Sequence, residues 1–142
     1  MRTRTDARER GASAVEFAII MPVILLLVFG IIGYGVMLAF RQSLSQAASE
    51  GARAAVGAPA GATTGVAQDA IQSALSTYGK SCTGGVTCTI SAPAPCAGDS
   101  SHDCVQVTVS YPYRDHPIVP NVPGLGFTLP ATLSFTSSVE VS

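Results

Sequence analysis

From Phe17 to Phe40 the chain carries no charged residue, and most of those 24 positions are Ile, Leu, Val, Phe, Met or Ala. A helix of that length is about 36 Å long at 1.5 Å per residue, enough to cross a ~30 Å hydrocarbon core with some tilt. A buried helix of a soluble domain seldom needs so long an apolar surface. A secretory h-region is shorter, about 7–15 residues, and is followed closely by a small-residue cleavage site. The nearest such site, Ala58-Pro59-Ala60, lies far beyond the run. The stretch reads as a membrane-spanning helix retained in the mature protein.

Charge placement gives it an orientation. Arg2, Arg4, Arg8 and Arg10 make up half of the 8 Lys and Arg residues and precede the run. By the positive-inside rule the N-terminus is cytoplasmic and everything after Phe40 is outside. The four cysteines, Cys82, Cys88, Cys96 and Cys104, all fall on the outer side, where oxidation is permitted. A net charge of −1 and the lack of a basic stripe with interleaved aromatics argue against nucleic acid as a partner.

Two features ask for more than an anchor. Glu16 sits one step before the apolar run, where a carboxylate costs energy unless paired or hydrated. Gly11 stands five residues before it, directly after Arg8-Glu9-Arg10. This order of basic segment, Gly11, Glu16, Phe17 and apolar helix resembles the prepilin signal of type IV pilins. Val15-Glu16-Phe17-Ala18, then Pro22, then Gln46-Ala47-Ala48-Ser49-Glu50-Gly51-Ala52-Arg53 resembles, more narrowly, the TadE-like family of pseudopilins and minor pilins of the tight-adherence (Flp) pilus system. The resemblance spans residues 11–53. It implies cutting by a prepilin peptidase between Gly11 and Ala12, and pairing of the new Ala12 amine with Glu16 of a neighbouring subunit, with Phe17 beside it. Other pilin subunits, the pilus assembly platform and the lipid bilayer are the partners it implies. It further implies structural, non-catalytic work in pilus assembly, in the cytoplasmic membrane of a bacterium, with incorporation in the pilus compatible with it. Rival readings are an uncleaved accessory protein of the same system, resembling the TadG type, and a single-span ectodomain that binds an extracellular ligand.

Along the chain, residues 1–11 read as a cytoplasmic basic leader, 12–40 as the transmembrane helix, 41–57 as its outer half, and 58–142 as a small disulfide-bonded domain. The helix is expected from about Ser13, capped by Ser13 with Glu16 three residues on, to about Val56. Pro22 removes a backbone donor and should bend it. Gly30, Gly33 and Gly35 thin one surface, and Gly35, Ala39, Ser43, Ala47, Gly51 and Ala55 continue a small-residue row at every fourth position. Such a row admits close approach of another helix in a filament core, or of the protein's own outer domain. After Arg41 the pattern turns amphipathic, with Phe40, Leu44, Ala47, Ala48, Gly51 and Ala55 near one face, and Glu50 and Arg53 stand at i,i+3.

Gly57 to Gly65 reads as a loop. A second helix is expected over Val66–Tyr78, capped by Thr63 or Thr64 and ended by Gly79-Lys80. Strands are expected at Val86–Ile90, Val105–Tyr111 and Thr132–Val141, the last with Leu133, Phe135, Val139 and Val141 on one face. Pro112 to Pro130, with five prolines, is an irregular excursion that Ile118, Val119, Leu125 and Phe127 can anchor. The fold class is α+β: a long N-terminal helix, transmembrane then amphipathic, packed on a small antiparallel sheet of three or four strands, pilin-like by the resemblance.

The cysteine spacing contains no Cys-x(2–4)-Cys pair, which favours two disulfides over zinc. Three connectivities are open. Cys88 shares a strand face with Val86 and Ile90, whereas Cys104 shares that of Gln106 and Thr108, so Cys88–Cys104 is disfavoured. Cys82–Cys88 with Cys96–Cys104 is preferred. Nucleophile or base chemistry is confined to His102-Asp103-Cys104 and Asp115-His116. With Cys104 oxidised and both segments read as exposed loops or strand edges, no catalytic residue, metal or cofactor is expected.

Overall fold

The computed structural model describes residues 4–59, 61–120 and 129–141. Helix α1 runs unbroken from Arg4 to Val56, 53 residues or about 80 Å. It therefore starts nine residues before the expected Ser13, which lies inside it and caps nothing. Residues 4–10 hold Ala, Arg and Glu, good helix formers, with no proline to stop them. The helix also continues through Pro22.

Helix α2, Thr63–Leu75, is followed by a short 3₁₀ turn, Ser76–Tyr78. It starts earlier than its apolar stripe, and Thr63 and Thr64 lie within its first turn instead of capping it. Its N-cap is Ala62, with no side-chain cap. The entry is a backbone turn, Ala62 N–H to the Pro59 carbonyl at 2.9 Å, with Gly61 at φ +85°. The exit is as expected: Gly79 adopts a left-handed φ of 60°. The Gly79 N–H donates to Ser76 O and that of Lys80 to Leu75 O, the paired bonds of a Schellman ending. Ala67, Ile71 and Leu75 are the buried stripe.

Four antiparallel strands follow: β1 Thr87–Ile90, β2 Ala94–Cys96, β3 Asp99–Tyr111 and β4 Leu133–Val141. β3 is the spine. β4 pairs with it along Asp103–Tyr111, while β1 pairs with residues 107–110 and β2 with residues 99–104. Because β4 shares these rungs, β1 and β2 must occupy the opposite edge of β3, one after the other. β3 extends six residues beyond its expected start. The unexpected β2 contains Pro95, tolerated because the strand lies at an edge and the register shifts beside it. Leu125 and Phe127 lie outside the described residues.

One face of the sheet closes on the outer half of α1. Val105, Val107, Val109, Tyr111 and Leu133 meet Phe40, Leu44, Ala47, Ala48, Ala52 and Ala55 in one buried cluster that also takes in Ala67, Ile71 and Leu75 of α2. Each large side chain here contributes roughly 1.5–3 kcal/mol on leaving water. On the far face Thr108 and Thr136 face each other across β3 and β4, their hydroxyls 2.8 Å apart.

The disulfides are Cys82–Cys88 and Cys96–Cys104, the preferred pairing. They close short loops, so each constrains the unfolded chain by roughly 2–2.5 kcal/mol in the chain-entropy account. Cys88 lies on the core face opposite Val109, while Cys104 points to the other face of β3. That is the physical reason the two do not meet.

Candidate functional site

From Gly11 to Gly35 α1 contacts nothing else that would cover it. Val15, Phe17, Ile19, Leu27 and Ile31 are each more than 60% exposed, and no residue of the most apolar window is buried. A helix apolar on every side and bare on every side belongs in an apolar solvent. It is long and apolar enough to cross a membrane. Gly11, Ala12, Glu16, Phe17 and Pro22 all lie on this bare part, exposed and helical. An added Cβ at Gly11 would meet nothing within 4 Å. Among residues 11–59, 61–120 and 129–141 the ion pairs are those of His102 with Asp99 and Glu140, so Glu16 has no partner there.

The small-residue row divides at the domain boundary. Ala47, Gly51 and Ala55 are buried against the protein's own outer domain, whereas Gly35 and Ala39 face open space. Burial begins at Met37 and is complete at Phe40. The Phe40 ring stands edge-on to Tyr78 and Tyr111, both at 5.0 Å between centroids, and tilted to Tyr113 at 6.2 Å. The Tyr111 hydroxyl donates to the His116 carbonyl at 2.6 Å. Burial holds the Tyr113 hydroxyl above the ordinary tyrosine pKa, with neighbouring Tyr111 adding to the shift and a hydrogen bond to Ile118 backbone opposing it. These aromatics form the joint between the bare helix and the folded domain.

Gly51 is the tightest point of the seam. A Cβ there would stand 2.7 and 2.9 Å from Ile71 Cγ1 and Cδ1 and 3.2 Å from Val107 Cγ1. α1, α2 and β3 thus converge on a position with no room for a methyl group. Overpacking costs about 1–3 kcal/mol, against about 1 kcal/mol regained from helix propensity. Gly51→Ala should therefore lower stability by up to about 2 kcal/mol, and Gly51→Val by more. The midpoint of denaturant unfolding measures both; an unchanged Gly51→Val would refute the close-approach account. Glu50 and Arg53 flank Gly51, both exposed, and they make no ion pair with each other.

The remaining chemistry-bearing groups stand apart from this helix. His102 lies near the β2–β3 turn, exposed, with Asp99 Oδ2 and Ser101 Oγ each 3.0 Å from the same nitrogen, Nδ1. The imidazole therefore does not bridge the hydroxyl and the carboxylate as a proton relay would. The Ser101 hydroxyl and N–H, with His102, hold the Asp99 carboxyl below its usual range. Cys104 is in its disulfide. Asp115 and His116 are exposed, and the His116 N–H closes a turn onto the Pro112 carbonyl. A shallow open groove between α1 and α2 is lined by Ser45, Gln46, Ser49, Glu50 and Ala74.

Fold and site together define an α+β protein with one long N-terminal helix, bare and apolar in its first half and covered by a small disulfide-bonded sheet domain in its second. The family model described as TadE-like protein matches residues 11–53, the stretch from the bare glycine to the end of the seam. No curated protein and no solved structure matches the chain. The TadE-like segment associates the chain with the Tad pilus system.

Proposed function

We propose that the protein is a pseudopilin or minor pilin of the tight-adherence pilus, a structural subunit without catalysis of its own. The observation that carries this is the coincidence of the TadE-like match with a helix whose matched segment does two jobs. Its second half is consumed by the protein's own domain, while its first half, from Gly11 through Glu16 and Pro22 to Gly35, is left bare. An anchor needs only the apolar run. A subunit of a helical bundle also needs a defined N-terminus and a charge at fixed height, and Gly11-Ala12 and Glu16 supply both. In this reading a prepilin peptidase cuts after Gly11, the helix waits in the cytoplasmic membrane with the outer domain outside, and an assembly platform draws it into contact with other pilin subunits.

Processing tests this directly. Protein extracted from membranes of a peptidase-competent host should lack residues 1–11, retain residues 12–142, and read ASAVEF by N-terminal sequencing. Recovery of only the Met1 form would overturn the pseudopilin reading in favour of an uncleaved, TadG-type accessory anchor.

A further inference from the structure

Three of the four cations that follow the apolar run are gathered at one end of the outer domain; Arg53, twelve residues past Arg41 on α1, stands apart from them. After the apolar run the lysines and arginines are Arg41, Arg53, Lys80 and Arg114. Arg41 directly follows Phe40, its guanidinium 5.7 Å from the centre of the Phe135 ring. The Lys80 ammonium lies 5.1 Å over the Tyr111 ring, which itself packs on Phe40. Arg114 carries the β3–β4 ladder past Tyr111: its N–H donates to the Ala131 carbonyl, and its guanidinium gives two bonds to the Leu129 carbonyl, at 3.1 and 2.7 Å.

The direction of β3 sets the level of these groups. Val107 lies at Gly51 and Tyr111 at Phe40, so β3 runs toward the bare half of α1. Lys80 and Arg114 consequently stand with Arg41, where the helix leaves its apolar stretch. Asp103 and Asp99 are eight and twelve residues back along β3, roughly 27 and 40 Å away, and Glu140 is paired beside them opposite Cys104. Asp115 is the acidic group at the cationic end, and His116 is beside it, exposed. The domain is thus polarised along the helix axis, positive toward the apolar segment.

We propose that this end is a docking face for anionic lipid headgroups, on which the domain rests before assembly. The inference depends on the membrane reading of α1, because it is that helix that brings a bilayer to this face. Arg41 follows the apolar run by one residue, which puts it within a Debye length, about 8 Å, of headgroup phosphates. Lys80 and Arg114 share its level, and the half-buried Tyr78 lies among them as aromatic residues do at membrane interfaces. An acidic protein partner would have to compete for the same place with phosphates that the inserted helix has already delivered. Each Lys or Arg near an anionic surface shifts such an equilibrium by roughly fivefold. Three cations opposed by Asp115 should favour the docked domain by roughly 25-fold in an anionic bilayer relative to a zwitterionic one.

The full chain in nanodiscs tests it, with hydrogen exchange read over residues 78–81 and 112–118. Exchange there should slow by tenfold or more in phosphatidylglycerol-rich discs relative to phosphatidylcholine discs, while residues 99–104 stay unchanged. The difference should vanish at molar salt and in a Lys80→Glu/Arg114→Glu variant; the salt arm needs no variant and so does not depend on its folding. Equal exchange in the two lipids, or protection that survives molar salt, overturns the docking face. Flotation of the full chain with phosphatidylcholine vesicles separates the premises. Failure to float overturns the membrane reading itself, whereas flotation with equal exchange overturns only the docking face.

Discussion

Glu16→Ala should yield a protein that is processed and membrane-inserted yet lost from assembled pili. Removing a carboxylate at the membrane edge leaves insertion unaffected or slightly easier. Gly11 and the residues before it are unchanged, so cleavage should survive. The defect falls on the next step. In a helix bundle the Ala12 amine of one subunit would enter a low-dielectric interior without its counter-charge, and stranding one partner of a buried pair costs about 3–5 kcal/mol. That corresponds to roughly 150- to several-thousand-fold in an association constant. Glu16 is exposed on the bare part of α1 and no cation among residues 11–59, 61–120 and 129–141 pairs with it, so the carboxylate is available to another subunit. Processed protein should be compared in membrane and pilus fractions for Glu16→Ala and a Glu16→Asp control. Normal incorporation of Glu16→Ala would reduce Glu16 to a headgroup-zone residue with no part in fixing the height of a neighbouring subunit.

Phe40→Ala should damage the folded domain while sparing the anchor. The ring is fully buried and touches Tyr78, Tyr111 and Tyr113. Truncating a buried Phe costs about 3–5 kcal/mol, which here includes edge-to-face pairs worth about 0.5–1.5 kcal/mol each. That loss approaches the whole stability of a small domain, about 5–15 kcal/mol. Membrane extraction should not change, because residues 17–39 still form an apolar span. Near-ultraviolet circular dichroism, which in this Trp-free chain reports mainly on the clustered tyrosines, should show loss of their fixed environment and a lower unfolding midpoint. A stability change below about 1 kcal/mol would mean that the joint is not built on Phe40. Phe40→Leu separates the two parts of the effect: it retains apolar volume and loses the aromatic pairs.

Much of this architecture is local in origin and could therefore be read from the chain. Phe17–Phe40 is long and apolar enough to cross a membrane by its own composition, whatever the rest does. The alternation of Val105, Val107 and Val109 against Gln106 and Thr108 assigns faces to β3 without knowledge of its neighbours, and it places Cys104 on the face away from Cys88. Gly79 marks the end of the second helix because a left-handed residue after a helix favours glycine. The TadE-like residues from Gly11 to Arg53 were legible for the same reason, being one continuous segment.

Other features depend on residues far apart in sequence meeting in space. The row Gly35, Ala39, Ser43, Ala47, Gly51, Ala55 has one period and one composition, and nothing in it says which members face the protein's own domain. The fold decides that, by setting Ile71 and Val107 against Gly51 and leaving Gly35 bare. The start of α1 at Arg4 and the extension of β3 to Asp99 follow neither the capping residues nor the apolar alternation. The first reflects the helix propensity of a polar segment. The second comes from pairing with β2, a strand that Pro95 hides from any pattern of alternation. The gathering of Phe40, Tyr78, Tyr111 and Tyr113 at one level, and of Arg41, Lys80 and Arg114 beside them, required the antiparallel course of β3 against α1. Periodicity is a property of a segment and was determined by the sequence alone. Which side of a segment is covered, and at what height along the helix a charge stands, is a property of the packed whole.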